Sequence, residues 1–286
     1  MVSNKEFVKA LEANPSEVTA NKGWNLVGNP WPTYYNIHKL NFTAPITVWD
    51  GSDRKYVAYS IIDDDYAIKP LEAIFVQCPD ELNSISFPID GRQLTTEIES
   101  QNGARALVAE AKSRQLIDVE LSDGEQNDKT RIVMNPLASV DYEISCDASK
   151  FFSMDANVPQ IFSIEGAMQY AINERPVDNG IVSLGVLLPA DGTYTLSVSR
   201  NDLQNVVLYD KQTGRSTDIC TGNYTFNGDA GLCENRFELR FSDVNGISEN
   251  IRETITNNRY YNLNGQRISE PQKGLYVVKG KKFVVK

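Results

Sequence analysis

Between residues 114 and 243 the chain alternates apolar and polar side chains with a period of two, and few folds accept that pattern. Ile117, Val119 and Leu121 share one face of a strand while Asp118 and Glu120 take the other. Tyr194, Leu196 and Val198 alternate with Thr195, Ser197 and Ser199, and Phe237, Leu239 and Phe241 with Arg236, Glu238 and Arg240. A period of two gives one buried and one wet face, as in an antiparallel sandwich. Each fully buried Leu or Phe contributes about 1.5–3 kcal/mol, so these rows fix the register. Turn chemistry agrees: Asn-Gly begins at 102, 179, 227, 245 and 264, and Asp-Gly at 50, 90, 123 and 191. Helical stretches are short; the clearest, Phe7 to Ala13, is stopped by Asn14-Pro15. The expected class is all-β.

A second β region precedes this one. Gly23 to Pro30, Ile46 to Trp49, Tyr56 to Tyr59, Ala73 to Gln77 and Ile85 to Phe87 read as strands separated by turn signals. Residues 93–113 are polar, turn-rich or linker-like. The expected organisation is an N-terminal extension (1–22), a first antiparallel β-sandwich (23–92), a linker (93–113), a second, jelly-roll-like sandwich (114–243) and a C-terminal hairpin segment (244–286). In that last segment Asn264-Gly265 is a strong two-residue turn and Lys279-Gly280 a weaker one.

Several chemistries find no support. A net charge of −10 argues against nucleic acid, which needs a basic face. No apolar run approaches the roughly 20 residues of a membrane-spanning helix, and the N-terminus lacks the apolar stretch of a signal peptide. His38 is the single histidine, so triads with a histidine base would all run through it, and no G-x-S-x-G accompanies it. It reads as a surface loop residue. Phosphate-cradling motifs are absent, and no cofactor or metal is expected. The run Asp63 to Asp65 offers oxygen ligands for Ca²⁺ but lacks EF-hand spacing, and reads more simply as a charged loop between strands. Paired carboxylates could make a glycosidase, yet the obvious acids, Asp118 and Glu120, alternate outward. Cys220 and Cys233 flank an apparent hairpin (Asn223 to Phe226 with Leu232 to Phe237); a disulfide there would add about 3 kcal/mol, and two free thiols are the alternative. The aromatic residues Trp31, Tyr34, Tyr35, Trp49, Tyr56 and Tyr59 are dense enough to form a sugar-stacking platform if exposed, or to pack as core if not.

Three stretches carry a resemblance. The series from Gly23-Trp-Asn-Leu-Val-Gly-Asn-Pro30 to Phe75-Val-Gln77 resembles a module near the C-terminus of large secreted and surface proteins of Bacteroidota. Asn127 to Arg131, Tyr142 to Lys150 and Ile172 to Pro176 resemble a sandwich of the same proteins. The C-terminal segment is similar to their short type IX sorting tails, with Gly265, Arg267, Gly274, Tyr276, Gly280, Lys282 and Lys286 on the characteristic positions. The resemblance implies an extracellular or cell-surface location, with the signal peptide on a longer precursor. It further implies a non-enzymatic module that supports display or adhesion of an upstream domain and meets secretion or surface machinery. A carbohydrate-binding accessory module is the alternative.

Overall fold

The computed structural model describes residues 6–41, 43–78, 83–98, 114–176 and 180–241, and the strand backbone at 260–261, 267–268, 274–278 and 281–285. The described elements are strands and three single turns of 3-10 helix, with no α-helix among them. The fold is all-β. Residues 1–241 form one unit and 242–286 another.

The N-terminal part contains β1 (Glu6–Ala10), β2 (Trp24–Gly28), β3 (Tyr34–Asn36), β4 (Ile46–Asp50), β5 (Lys55–Tyr59), β6 (Ala67–Ile68), β7 (Ala73–Gln77), β8 (Ser84–Pro88) and β9 (Arg92–Gln93). They assemble as a four-stranded sheet β2-β7-β4-β5, a three-stranded sheet β6-β3-β9 and the pair β1-β8. Their shared core holds Tyr35, Ile37, Ile46, Val48, Ile68, Ile74, Val76, Ile85 and Phe87. The segment expected to be helical is β1: Phe7 stands opposite Phe87 in the ladder, and Leu11 enters the core. A five-residue stretch gains more from an edge ladder and a Phe7–Phe87 ring contact at 6.4 Å than from one isolated helical turn. Asp90-Gly91 forms no hairpin. Gly91 is needed for close approach, since a Cβ there would stand 2.4 Å from the Tyr35 ring.

The second part is one large sheet made of β10 (Gln115–Ser122), β11 (Asn127–Met134), β12 (Ala148–Ser149), β13 (Gln160–Glu165), β14 (Met168–Arg175), β15 (Ile181–Leu188), β16 (Gly192–Asn201), β17 (Val206–Asp210), β18 (Arg215–Asp218), β19 (Tyr224–Gly228) and β20 (Gly231–Phe241). Its order is β18-β17-β20-β15-β13-β14-β11-β10-β16-β19, with β12 beside β14. Pairing is antiparallel except between β11 and β14. The sheet folds over into a nearly closed, sandwich-like roll. Phe226 of β19 meets Phe237 of β20 at 4.7 Å, although the two strands share no ladder. Ile117, Val119, Leu121, Leu184, Leu196, Phe237 and Leu239 are fully buried in the roll, as the alternation requires.

Two candidates raised by the sequence fail here. β19 and β20 are not a hairpin: β19 pairs β16 and β20 pairs β15 and β17, so residues 229–230 carry the chain across the roll. The disulfide fails with it, because Cys220 and Cys233 are both free. Asp218 of β18 stands opposite Val207, which stands opposite Arg240, so Cys220 lies beside the C-terminal end of β20. Cys233 is seven residues back along that strand, about 23 Å at ~3.3 Å per residue. A disulfide spans a Cα separation of at most about 7 Å.

In the C-terminal unit, β21 (Tyr260–Tyr261), β22 (Arg267–Ile268), β23 (Gly274–Val278) and β24 (Lys281–Val285) form an antiparallel sheet β22-β21-β23-β24. Val278 stands opposite Lys281, and the turns expected at Asn264-Gly265 and Lys279-Gly280 lie outside the described residues. Of the tail positions singled out above, Arg267, Gly274, Tyr276 and Lys282 fall on these strands. Gly265, Gly280 and Lys286 lie outside the described residues.

Candidate functional site: a charged junction and its cleft

Both faces of the sheet β2-β7-β4-β5 are covered. Ile46, Val48, Ile74 and Val76 point into the N-terminal core. The opposite face presents Trp49, Tyr56 and Phe75 to Phe151, which leaves the roll in the connection between β12 and β13. Phe151 sits 4.7 Å from Trp24, 5.5 Å from Tyr56 and 5.3 Å from Phe75, and Trp49 packs edge-on against Tyr56 at 4.9 Å. The six aromatic residues singled out in the sequence therefore do not share a platform. Trp49 and Tyr56 face the roll. Tyr35 is fully buried in the N-terminal core; Trp31 packs on that core beneath Arg92, and Tyr59 stacks on Tyr66 at 4.0 Å. Tyr34 is half-buried on β3, opposite Gln93.

Beside the rings runs an ionic seam. Arg114 donates from both terminal nitrogens to Asp63, at 2.9 and 3.0 Å, and to Glu174 at 2.6 Å. Arg131 grips Asp64 at 2.7 and 2.8 Å and, through Nε and Nη2, Asp118 at 2.6 and 2.8 Å. Each guanidinium thus holds one carboxylate from the N-terminal part and one from the roll. The planar fork suits this bidentate geometry, where a lysine would be a single point charge. Burial works against charge on Arg131, but hydrogen bonds it donates to two carboxylates, and their charge, outweigh it and raise its pKa. Asp118 shows the mirror image: burial would raise its pKa, yet Arg131 and Lys129 lower it.

This corrects two readings. Asp118 is not a solvated outward residue; it is 2 % exposed, because the 60–64 loop covers that end of β10. Of the acidic run, Asp63 and Asp64 are committed to arginines and only Asp65 is exposed, where its Oδ1 accepts from His38 Nε2 at 2.9 Å. His38 is half-buried in a 3-10 turn capped by the Asn36 side chain, rather than free in a loop. Among the described residues no group of His, Cys, Asp or Glu is placed to hold a metal.

Residues from three sequence stretches meet behind the seam. Asp147, 4 % exposed, accepts from the Glu143 and Glu174 backbone N–H groups, both at 2.8 Å. Burial pushes its pKa up to about 7, against the pull of those two bonds and with help from nearby Glu174 and Glu143. Lys150 makes a buried ion pair with Asp128, and the Tyr142 hydroxyl donates to Gln77 Oε1 at 2.7 Å. The sequence carried one signal for the seam: Asp118 and Arg131 are opposite charges at cross-strand positions. Nothing in it connected either residue with the acids at 63–64.

Where the two parts diverge, a cleft of ≈ 240 Å³ opens. β4 and β5 contribute Thr47, Asp50, Lys55, Tyr56 and Tyr59; the roll contributes Glu120, Asn127, Lys129, Arg131, Lys150 and Phe151.

Residues 64–241 match a family described as a domain of unknown function, DUF8693. The chain belongs to this family. The DUF8693 match starts at Asp64, so it includes the seam's Asp64–Arg131 and Arg114–Glu174 pairs together with the roll. No curated protein matches the chain, and no solved structure does.

Proposed function

We propose that this chain is a non-enzymatic structural and attachment module of a secreted or surface-displayed bacterial protein, supporting display of an upstream domain. The observation that carries the reading is the seam. Two arginines, each shared between the N-terminal part and the roll, tie residues 6–98 to residues 114–241 through buried, saturated charge pairs. Acids in that arrangement are committed to holding architecture. Asp147, whose pKa near 7 would suit an acid–base role, is sealed from solvent and lines no part of the cleft. The resemblance of the tail to type IX sorting tails and of the sandwiches to Bacteroidota surface proteins supports the extracellular or cell-surface reading, and the acidic net charge is compatible with it.

The test is display. A reporter fused ahead of the chain is expressed in a Bacteroidota host, and its accessibility to external protease is measured. Accessibility should be lost when residues 259–286 are deleted, and should fall with Arg131→Ala. Equal accessibility with and without the whole chain overturns the reading.

A further inference from the structure

We propose that the cleft between β5 and the roll is a binding site for a small neutral saccharide, one or two rings in size. The inference is independent of the display role: an attachment module would still have this site, and a failed display assay would leave it intact.

The wall chemistry selects the ligand class. Every cation lining the cleft already has a partner. Lys150 is paired with Asp128, and Arg131 with Asp64 and Asp118. Lys55 lies 3.1 Å from Asp53 and donates to the Asn127 carbonyl at 3.0 Å, while Lys129 reaches Asp118 at 3.5 Å. No bare positive charge is left for an anionic ligand. The acceptors are in the opposite condition. Glu120 lines the cleft and has no hydrogen-bonding or ionic partner among the described residues. Asp50 uses Oδ1 on the Ser52 and Asp53 amides of its own turn. Thr47, 2 % exposed at the back of the cleft, has a hydroxyl with no partner. The Tyr59 hydroxyl stays a donor, since burial and the acids around it push its pKa up to about 12.

A polyol fits such a lining. Its hydroxyls donate to the carboxylates and accept from phenol and ammonium groups, while a ring's C–H face can lie against Tyr56 and Phe151. The half-exposed Glu120 carboxylate and the buried Thr47 hydroxyl both lack a partner among the described residues, so a ligand that meets both gains selectively over one that does not. The cleft volume of ≈ 240 Å³ holds one or two sugar rings and little more. This site is distinct from the aromatic platform that the sequence suggested, of which it retains only Tyr56 and Tyr59 with part of the β4 strand.

The experiment titrates the intact protein with glucose, galactose, maltose and cellobiose, using glucuronate and glucosamine as charged arms, and follows amide and side-chain NMR shifts. The expected result is saturable shifts at Thr47, Tyr56 and Glu120 with at least one neutral sugar, weakened about tenfold by Glu120→Gln and unchanged by Glu125→Gln on the exposed β10–β11 turn. Glu120 is partly exposed, so the substitution leaves the fold in place, and unchanged circular dichroism checks this. Binding of glucosamine alone, of glucuronate alone, or of neutral sugars with equal affinity in Glu120→Gln would each overturn the proposal. So would the absence of shifts with every sugar at tens of millimolar.

Discussion

The molecule uses the same device twice, in settings that differ. At the junction Arg131 is held by Asp64 and Asp118, one carboxylate from each part of the chain. At the closure of the roll Arg236 is held by Asp210, which is fully buried and also accepts from the Tyr224 hydroxyl at 2.8 Å and the Gln212 amide at 2.9 Å. Arg236 further donates to the Asn227 carbonyl and lies over the Phe226 ring, so it links β20 to β19 without any ladder between them. The junction concentrates two acids on one cation. The closure distributes one acid over several donors. When one donor is lost the closure's acid keeps short bonds to the others, whereas the loss of Arg131 strips two acids of their bidentate partner together and leaves them longer contacts to Lys129 and Arg200.

Removing that cation should therefore have the largest effect. Arg131→Ala takes the bidentate partner from two acids at once, leaving Asp118 only Lys129 at 3.5 Å and Asp64 only Arg200 at 3.6 Å as charged partners among the described residues, and should cost about 3–5 kcal/mol in urea unfolding. Arg236→Ala leaves Asp210 with Tyr224 and Gln212, and should cost about 2 kcal/mol. Equal losses would break the comparison. Phe151→Ala separates ring packing from charge at the junction. It should cost about 2 kcal/mol, below the loss for a fully buried Phe because the ring is half-exposed, and should alter the emission of Trp24 and Trp49.

Acidity sharpens the contrast, because the two regions respond with opposite sign. Burial would raise the pKa of Asp210, but hydrogen bonds from Arg236, Tyr224 and the Gln212 amide bring it down to about 2. Its contribution is present above the unfolded value near 4 and is lost as pH falls toward 2. Asp147, raised to about 7, binds its proton more tightly folded than unfolded, so its contribution is lost as pH rises from about 4 through 7. The melting temperature against pH should thus fall on both sides. Asp210→Asn should flatten the acid limb and Asp147→Asn the neutral one; an unchanged profile in either variant contradicts the corresponding assignment. The smallest effect is expected at the cysteines. Cys220→Ser with Cys233→Ser should leave stability within about 0.5 kcal/mol, and all four thiols of the unfolded wild type should react with a thiol reagent without prior reduction.

Sequence patterning gave the strands of both parts and the inward faces of β10, β16 and β20, because alternation responds to one buried face against water. It misread places where a second surface arrives. Asp118 occupies the outward face of β10, and only the distant 60–64 loop makes that position interior. Tyr56 looks like a candidate for exposure until Phe151 packs against it, from a connection about a hundred residues away in sequence. The Phe7 stretch is a strand because β8 offers an edge, a partner no local propensity can indicate. The false hairpin at β19 and β20 has the same origin: adjacency in sequence implied pairing, while closure of the roll placed the strands face to face.

The parallel pairing of β11 with β14 has a consequence in time. No tight turn can join parallel neighbours, so between Met134 and Met168 the chain makes a long excursion, adding β12 and β13 elsewhere in the same sheet before β14 returns beside β11. That excursion also carries Phe151, Asp147 and Lys150, the groups that meet the N-terminal part or stand behind its seam. The loop must close before the roll is complete, and the junction cannot be read by its partners until it does. Such dependence on distant contacts places refolding among the slow β topologies, milliseconds to seconds rather than microseconds. A polypeptide of this kind spends an appreciable interval as an open, unlocked chain, an interval during which transport across a membrane would still be possible.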